Sequence, residues 1–471
     1  MSDSFDVVVI GGGTAGLTAA LAARHEGASV ALVEREGRIG GDCTYYGCVP
    51  SKALIEIAQV VFDASRLAAA GVLSHAPSVS FAAAARRRDD VVAEIARDER
   101  DERFTAAGIE LVYGEATFVD PRTITVGARR ITGGRFVIAA GSDPAVPPVD
   151  GLDRVPFLTN RSVFDLTALP GRLLVLGGGP IGLELAQAFQ RLGSRVAVVE
   201  QSERLLPRDE PEAGAVAAQA LTEEGVELLL GTTARSVRQE GATVVLETDA
   251  GERRGDALLV ATGRRGATLS LGLDRAGVAT DGGYVTIDER CRTSAEHVYA
   301  AGDVTGGLQF THVASHQGSV AGRNAAGGRA KRDERVVPWV TFLDPEIAHV
   351  GLTEAQARAG GGEVRVAAYP MSHVDRARIL GRPVGFVKLI VRRRRVVGWV
   401  GGGELVGAQI VGPRAGELIQ ECALAIRTRA FAGRLTQTIH PYPALSLGVQ
   451  QAAAQLFPLG RALVERDGGE G

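Results

Sequence analysis

The chain has 471 residues, of which 45% are hydrophobic, 23% are charged and 61 are glycine. This composition excludes a disordered chain, a collagen-like repeat and a small disulfide-bonded scaffold, and predicts a globular protein with a large core. The formal net charge of −3 provides no field that would attract nucleic acid or an anionic membrane.

The N-terminal segment, residues 1–10, is acidic and then apolar, and it lacks the basic stretch of a signal peptide. No uncharged apolar run approaches the roughly 18 residues that a membrane span needs. Four cysteines are too few for a secreted disulfide framework. We therefore expect a soluble, cytoplasmic protein that binds neither nucleic acid nor membrane.

A strand, glycine turn, helix and second strand follow one another at the start of the chain. Residues 5–10 form a β-branched run, and the turn Gly-Gly-Gly-Thr-Ala-Gly occupies residues 11–16. An alanine-rich helical pattern follows over residues 17–26, and a second apolar run over residues 29–33 ends in Glu34. This order is typical of a dinucleotide-binding module.

The same module recurs in the middle of the chain. Residues 172–176 form the first strand, Gly-Gly-Gly-Pro-Ile-Gly occupies residues 177–182, and a helical pattern covers residues 183–192. The second strand, residues 195–199, ends in Glu200. In both modules the first glycine stands 23 positions before the acidic residue, and this repeated spacing predicts two dinucleotide sites.

Three glycines in each turn have separate roles. The first permits the tight turn, the second lets the backbone approach a pyrophosphate, and the third allows close packing of helix and strand. These glycines are Gly11, Gly13 and Gly16 in the first module and Gly177, Gly179 and Gly182 in the second.

The acidic residue that ends each module, Glu34 or Glu200, is expected to accept hydrogen bonds from ribose hydroxyls. A carboxylate at position 200 would repel a 2′-phosphate, which favours NADH over NADPH. Arg204 and Arg208 lie close in sequence and leave NADPH possible.

The remaining segments alternate in pattern. Helices are predicted over residues 55–67 and 81–107, and buried strands over 136–140 and 258–262. A third region begins near residue 336, with strand patterns at 386–391, 396–400 and 409–411 and a helix at 415–427. The arginine run 392–395 is interpreted as a hairpin turn rather than a nucleic-acid patch.

Two cysteines, Cys43 and Cys48, lie in the segment Gly-Gly-Asp-Cys-Thr-Tyr-Tyr-Gly-Cys-Val-Pro-Ser-Lys, residues 40–52. They could be buried structural residues, and a zinc site lacks further ligands because Cys291 and Cys422 have no partnered spacing. The redox interpretation is favoured, since the pair can close a small ring. Cys48 also precedes a helical pattern whose dipole would lower its pKa.

The whole chain resembles the flavoprotein disulfide reductases, which include dihydrolipoamide dehydrogenase, glutathione reductase and mercuric reductase. The resemblance is carried by the two glycine turns, the segment 43–52, Tyr-Ala-Ala-Gly-Asp at 299–303 and His-Pro-Tyr-Pro at 440–443. It implies an α/β fold with two Rossmann-like domains and a C-terminal α+β dimerisation domain. The implied boundaries are 1–150 and 269–336 for FAD, 151–268 for NAD(P) and 337–471 for dimerisation.

The resemblance also implies roles for individual residues. Cys48 would be the flavin-proximal thiolate, Cys43 the thiol that attacks substrate, and Lys52 would pair with Glu184 near the flavin. Beyond the first module, the FAD-binding residues would be Gly41, Lys52, Gly114, Gly141, Asp303 and Thr311. The second module, with Gly263, would bind the nicotinamide dinucleotide.

Two positions depart from the dihydrolipoamide and glutathione enzymes. Their catalytic histidine and glutamate, five positions apart and donated across a dimer, are replaced here by Tyr442 and Leu447. A phenol is a poor proton shuttle at neutral pH, and His440 is the alternative base. Tyr442 resembles mercuric reductase, but the C-terminal residues 466–471 lack the cysteine pair of that enzyme, and its N-terminal metal-binding domain is not expected.

The sequence therefore predicts a homodimeric oxidoreductase that passes electrons from NADH through FAD and the Cys43–Cys48 pair. The acceptor would be a small thiol-reactive species, a disulfide or a metal ion, and no resident metal is expected. Alternatives are a dihydrolipoamide dehydrogenase with a displaced acid, a diaphorase or quinone reductase using FAD directly, and a non-enzymatic redox sensor.

Overall fold

The computed structural model describes residues 3–458. Over that range thirteen α-helices form: α1 (Thr14–His25), α2 (Gly41–Tyr45), α3 (Cys48–Ala69), α4 (Phe81–Ala96), α5 (Asp101–Ala106), α6 (Pro180–Leu192), α7 (Pro211–Glu223), α8 (Thr311–Ala325), α9 (Glu354–Ala359), α10 (Asp375–Ile379), α11 (Ala415–Arg427), α12 (Gly433–Gln437) and α13 (Leu447–Ala454).

The same range contains twenty-three strands: β1 (Asp3–Ile10), β2 (Val30–Glu34), β3 (Ile109–Tyr113), β4 (Ala116–Asp120), β5 (Thr123–Val126), β6 (Arg129–Ile138), β7 (Ser142–Pro144), β8 (Arg172–Leu176), β9 (Arg195–Val199), β10 (Glu227–Leu229), β11 (Ala234–Glu240), β12 (Thr243–Thr248), β13 (Gly251–Gly255), β14 (Ala257–Val260), β15 (Arg264–Gly266), β16 (Thr280–Asp281), β17 (Tyr284–Val285), β18 (Val298–Ala300), β19 (Pro338–Thr341), β20 (Glu346–Gly351), β21 (Val364–Pro370), β22 (Phe386–Arg392) and β23 (Glu404–Gly412).

The chain forms two compact units, each built from separate stretches of sequence. The first contains the residues up to Pro148, Pro156–Pro170 and Leu259–Asp333. The second contains Val149–Val155, Gly171–Leu258 and the residues from Glu334 onward. The finer division at residues 150, 268 and 336 stays a prediction. No helix among residues 3–458 is both long and apolar enough to cross a membrane.

A seven-stranded sheet organises the first unit. Its strand order is β3-β2-β1-β6-β5-β4, with β18 also paired to β6. Val7 and Val9 of β1 pack in the core on one face, while Val8 and Ile10 pack in the core on the other. Because alternate side chains of a strand point to opposite faces, this continuous apolar run is typical of a parallel strand buried on both sides.

The carboxyl ends of the parallel strands meet at one edge of this sheet. Backbone N–H groups just beyond β1, β3 and β6 donate back to neighbouring strands at 2.8 Å, from Gly11 to Val33, from Gly114 to Glu34 and from Ala139 to Ile10. Ligands of open α/β sheets bind at this edge, where loops leave the strands.

Helices α1 and α8 approach each other closely through glycine. A Cβ atom on Gly318 would lie 2.3 Å from the Ala15 carbonyl oxygen, and one on Gly322 would lie 2.2 Å from the Ala19 carbonyl oxygen. These glycines are four residues apart and share one face of α8. Only the missing side chains allow the two helix backbones to touch.

The second unit holds the other glycine-turn module and a five-stranded antiparallel sheet. Strands β8, β9 and β10 are parallel, and β14 completes their sheet in the order β10-β9-β8-β14. The boundary of the second unit falls within β14, between Leu258 and Leu259. The antiparallel sheet has the order β19-β20-β23-β22-β21. Its core contains Ile419 and Cys422 of α11 and Val449 of α13.

Two predicted elements are wrong in detail. The helix expected over residues 81–107 is divided into α4, a 3-10 turn and α5, because Arg100 is extended, with φ −74° and ψ 150°. The strand expected over residues 396–400 belongs to the connection between β22 and β23, where Val396 is 95% exposed. The arginine run lies at the start of this connection, as the hairpin interpretation required.

Replacing Gly322 with alanine should destabilise the first unit. The added methyl group would collide with the Ala19 carbonyl and force α1 and α8 apart, at a cost of about 1–3 kcal/mol. Thermal and urea unfolding measure the effect. Ser319→Ala, in the same helix, is the matched control, and an unchanged unfolding midpoint for Gly322→Ala would show that the contact tolerates a side chain.

Candidate functional site

Two of the three glycines in the turn after β1 are required by contacts within the protein itself. Gly11 has φ +110°, and a Cβ there would lie 2.2 Å from the Ala139 carbonyl oxygen. A Cβ on Gly16 would lie 1.7 Å from the Gly11 carbonyl oxygen, which prevents any side chain at that position. A Cβ on Gly13 would meet only Gly41, at an ordinary 3.7 Å. The middle glycine therefore faces space that a pyrophosphate could fill.

The turn after β8 repeats this arrangement in the second unit. Gly177 has φ +115°, and a Cβ on Gly182 would lie 2.1 Å from the Gly177 carbonyl oxygen. A Cβ on Gly179 would have no neighbour within 4 Å. Both modules thus use the first and third glycine for backbone contact and leave the second open.

The two acidic residues brace their own glycine turns. Glu34 accepts the Gly12 N–H at 2.5 Å and the Glu36 N–H at 2.8 Å. Glu200 accepts the Gly178 N–H at 2.6 Å and the Ser202 N–H at 2.7 Å. The sequence predicted contacts of these carboxylates with ribose but not their hydrogen bonds to the glycine turns. Each carboxylate oxygen keeps a second lone pair, so a ribose hydroxyl could still bind.

Burial changes the electrostatics of Glu34. Desolvation raises the pKa of this carboxyl, and the bond from the Gly12 N–H opposes the rise by stabilising the charged form.

A cleft at the carboxyl edge of the first sheet gathers many of the predicted residues. Those that line it are Gly11, Gly13, Glu34, Gly41, Gly114 and Gly141. Its wall also includes Arg161, which contacts Glu36 and lies over the ring of Tyr46 at 4.6 Å. An open glycine turn and an acidic residue in one cleft fit the phosphates and ribose of FAD.

A charged network next to this cleft was not predicted. Asp303 accepts a hydrogen bond from Ser142 at 2.7 Å, and Arg264 lies 3.6 Å from Asp303 and 3.2 Å from Asp42. Asn160 donates to Asp42 at 3.2 Å. Burial raises the pKa of Asp42, while Arg264 acts in the opposite direction. Two sequence signals were available: Asp42 lies inside the cysteine segment, and Asp303 was a predicted cofactor residue.

The two predicted redox cysteines come together in the first unit. Cys43 lies in α2 and is half-buried, while Cys48 is the first residue of α3 and is exposed. The hydroxyl oxygen of Thr311 lies 3.3 Å from each sulfur. The start of α3 at Cys48 agrees with the expected helix N-terminus, although the roles assigned to each cysteine stay predictions.

The surroundings of Cys43 oppose its ionisation. The hydrogen bond with Cys48, followed by burial, raises the pKa of Cys43 far above its usual range. The Thr311 hydroxyl acts in the opposite direction, and the Glu99 carboxylate adds to the rise. Cys43 is therefore held as a protonated thiol.

The remaining cofactor positions divide between the units. Lys52 is half-buried in α3, one turn after Cys48, and Gly263 is exposed in the first unit, with φ +134°. Glu184 lies in α6 of the second unit, where it is 4% exposed and accepts the Phe342 N–H at 2.8 Å. Glu184 is therefore a buried helix residue, and its pairing with Lys52 stays a prediction.

Tyr442 is exposed in the second unit, and its hydroxyl donates to Asp375 at 3.0 Å. This bond raises the pKa of the phenol, so the hydroxyl stays protonated at neutral pH. Leu447 begins α13 and offers no acid. Residues 466–471, whose lack of cysteine entered the comparison with mercuric reductase, lie outside the described residues.

His440 is less available as a base than the sequence allowed. Its Nδ1 lies 2.9 Å from the Thr438 carbonyl oxygen, and its Nε2 lies 3.1 Å from a carboxylate oxygen of Glu421. Both ring nitrogens therefore face hydrogen-bond acceptors. The ring is also only 5% exposed.

Among residues 3–458, no group of three or more His, Cys, Asp or Glu side chains is placed to hold a metal ion. Cys291 and Cys422 are both fully buried.

The second and third glycines of the second module should respond differently to alanine. Gly179→Ala should keep the wild-type melting temperature and weaken NADH binding by about 10-fold, because its methyl group meets no protein atom but enters the nucleotide's space. Gly182→Ala should lower the melting temperature through its clash with Gly177. Nucleotide titration and thermal unfolding measure the two effects; equal destabilisation by both variants would contradict the assignment.

Comparisons with known proteins agree with this geometry. The sequence profile of the pyridine nucleotide-disulphide oxidoreductases matches residues 5–318, and the profile of their dimerisation domain matches residues 337–453. The dimerisation domain indicates a homodimer. The chain is 37% identical to a mercuric reductase of Bacillus cereus, over 95% of this chain and 71% of the relative. It is also 37% identical to a mercuric reductase of Streptomyces lividans, over 95% of each chain.

Solved structures show the same fold. The Cu(II) complex of the HOCl-induced flavoprotein disulfide reductase RclA from Escherichia coli has a TM-score of 0.87 and 29% identity, covering 97% of this chain and 100% of that one. LpdA from Mycobacterium tuberculosis has a TM-score of 0.85 and 31% identity, with the same coverage. The predicted α/β fold class is confirmed. The chain belongs to the pyridine nucleotide-disulphide oxidoreductase family and is an FAD-dependent NAD(P)H oxidoreductase that acts on a sulfur group.

Proposed function

We propose that this enzyme uses NADH to reduce a small thiol-reactive acceptor through the Cys43 and Cys48 thiols. The observation that carries the proposal is the meeting of both sulfurs at one hydroxyl group, that of Thr311. The cysteines also lie next to the cofactor cleft, because Gly41 and Asp42 line its wall and Cys43 follows them directly in α2.

The residues of the first unit are suited to hold FAD. The glycine turn, braced by Glu34, would receive the phosphates, and Asp303, held by Ser142 and Arg264, would bind the sugar chain. FAD, when bound, supplies a carrier that takes two electrons from the nicotinamide and passes them to sulfur. Lys52, one turn after Cys48 in α3, is proposed to stabilise negative charge beside this carrier.

Specificity for NADH is proposed to depend on Glu200. Its carboxylate is held at the glycine turn of the second module, where a 2′-phosphate would bring a second negative charge close to it. The Arg204 guanidinium donates to the Pro207 carbonyl at 2.7 Å within its own loop, and its positive charge weakens this repulsion, which leaves NADPH possible.

The acceptor is proposed to be one that needs little help from a general acid. Tyr442 keeps its proton and His440 is engaged at both nitrogens, so lipoamide, whose reduction needs proton transfer, is a poor candidate. The mercuric ion is the favoured candidate, because relatives 37% identical to the chain are mercuric reductases. The reaction would consume NADH and Hg²⁺ and yield NAD⁺, H⁺ and Hg⁰.

Cys43→Ser and Cys48→Ser should each lower the rate of NADH-dependent reduction of Hg²⁺ by roughly 1,000-fold, because a hydroxyl cannot carry the two electrons held by the thiols. The rate is followed as NADH oxidation with Hg²⁺ supplied as a thiol complex. Cys422→Ala, which changes a buried core cysteine remote in sequence from the pair, should retain wild-type turnover.

Other outcomes of the same assay distinguish the alternatives. Lipoamide turnover as fast as Hg²⁺ turnover would favour a dihydrolipoamide dehydrogenase with a displaced acid. Quinone reduction that persists in both serine variants, with no dithiol-dependent activity, would favour a diaphorase. Redox-dependent partner binding with negligible turnover of every acceptor would favour a sensor.

Glu200→Ala should narrow the preference for NADH. The wild-type enzyme should show a kcat/KM for NADH at least about 10-fold above that for NADPH, because like charges at a binding site disfavour the second ligand. The variant should bring the two values together. Glu203→Ala, which removes a nearby exposed charge, is the matched control; the same ratio in wild type and Glu200→Ala would refute the role of this carboxylate.

A further inference from the structure

Thr311 occupies a position that its predicted role in cofactor binding does not explain. Its hydroxyl oxygen lies 3.3 Å from the Cys43 sulfur and 3.3 Å from the Cys48 sulfur. A threonine hydroxyl has one proton to donate and two lone pairs that accept. It can therefore donate to an ionised sulfur and, at the same time, accept the proton of the neighbouring thiol.

Two helices begin at this sulfur pair. Thr311 is the first residue of the 15-residue helix α8, and Cys48 is the first residue of the 22-residue helix α3. The N-terminal ends of helices carry partial positive charge and stabilise an anion. Both helix ends therefore favour a thiolate at the place where the hydroxyl can donate to it.

Titratable side chains also flank the sulfur pair. The Glu99 carboxylate, which accepts the Thr44 hydroxyl at 2.7 Å, disfavours ionisation of Cys43. Lys52 follows Cys48 by one turn in α3. The exposed His312 ring stacks against Phe310, with ring centroids 5.4 Å apart.

We infer that Thr311 is a positioning residue whose hydroxyl holds the two sulfurs together and donates its proton to whichever of them carries the negative charge. The inference rests on the proposed dithiol function and deepens it. The negative charge can then change sulfur when the thiol gives its proton to the Thr311 oxygen and the hydroxyl gives its own proton to the thiolate, without movement of either helix.

The test measures the pH dependence of thiol alkylation in the reduced holoenzyme. Iodoacetamide is added after reduction with a phosphine, in the absence of pyridine nucleotide, and mass spectrometry identifies which cysteine has reacted. Cys291 and Cys422 are fully buried and should stay unmodified in the folded protein. Thr311→Val removes the hydroxyl and keeps the β-branched shape.

Thr311→Val should raise the pH midpoint for alkylation of the more reactive thiol by about one unit, since a hydrogen bond to a charged group stabilises that charge. Thr311→Ser should restore the wild-type midpoint because it restores the hydroxyl. Ser315→Ala removes a hydroxyl one turn further along α8, where its partner is Thr18, and should leave the midpoint unchanged.

An unchanged midpoint in Thr311→Val, or an equal rise in Thr311→Ser, would overturn the inference. The readout needs no acceptor, so this failure is separate from failure of the proposed function. If Thr311→Val keeps the wild-type alkylation profile while the cysteine variants are inactive, the role of Thr311 is refuted and the proposed dithiol function stands. If the cysteine variants are fully active, the proposed dithiol function is refuted, whatever the alkylation profile.

Discussion

The backbone contact between α1 and α8 is the constraint on which the first unit depends. Gly318 and Gly322 allow α8 to lie directly on the carbonyl groups of α1, at separations that no side chain could enter. Helix α1 begins at the glycine turn and α8 begins at Thr311, so this one contact relates the phosphate end of the cleft to the cysteine pair. Close packing resists compression, and small changes between the two helices would be transmitted to the site.

The same arrangement of three glycines and one acidic residue occurs in both units. In each, the first and third glycines are required by the protein's own backbone, and the second is left for a ligand. The acidic residue accepts two backbone N–H groups and stiffens the turn before any nucleotide arrives. A preorganised turn loses less conformational entropy on binding, which favours affinity. The spacing of glycine and glutamate is therefore a structural requirement as well as a contact with ribose.

The cysteine pair combines features that separate the acidities of two neighbouring thiols. Burial, the hydrogen bond with Cys48 and the charge of Glu99 keep Cys43 protonated, while Cys48 lies exposed at a helix N-terminus. In contrast, the polar groups around Tyr442 and His440 are engaged with Asp375 and Glu421 within the second unit. The enzyme is thus better equipped for sulfur chemistry than for proton transfer, which agrees with the loss of the acid/base pair at positions 442 and 447.

The sequence by itself determined the elements and motifs whose signals are local. The β-branched runs, the glycine turns and the start of a helix at Cys48 depend on neighbouring residues, so periodicity and spacing predicted them. Tertiary structure decided the rest. The network of Asp42, Arg264 and Asp303 joins Asp42 to side chains more than 200 positions away, and the burial of Glu184 follows from packing around α6. The contact of Thr311 with both sulfurs belongs to the same class, because such distances are set by how helices and sheet pack, and no pattern along the chain records them.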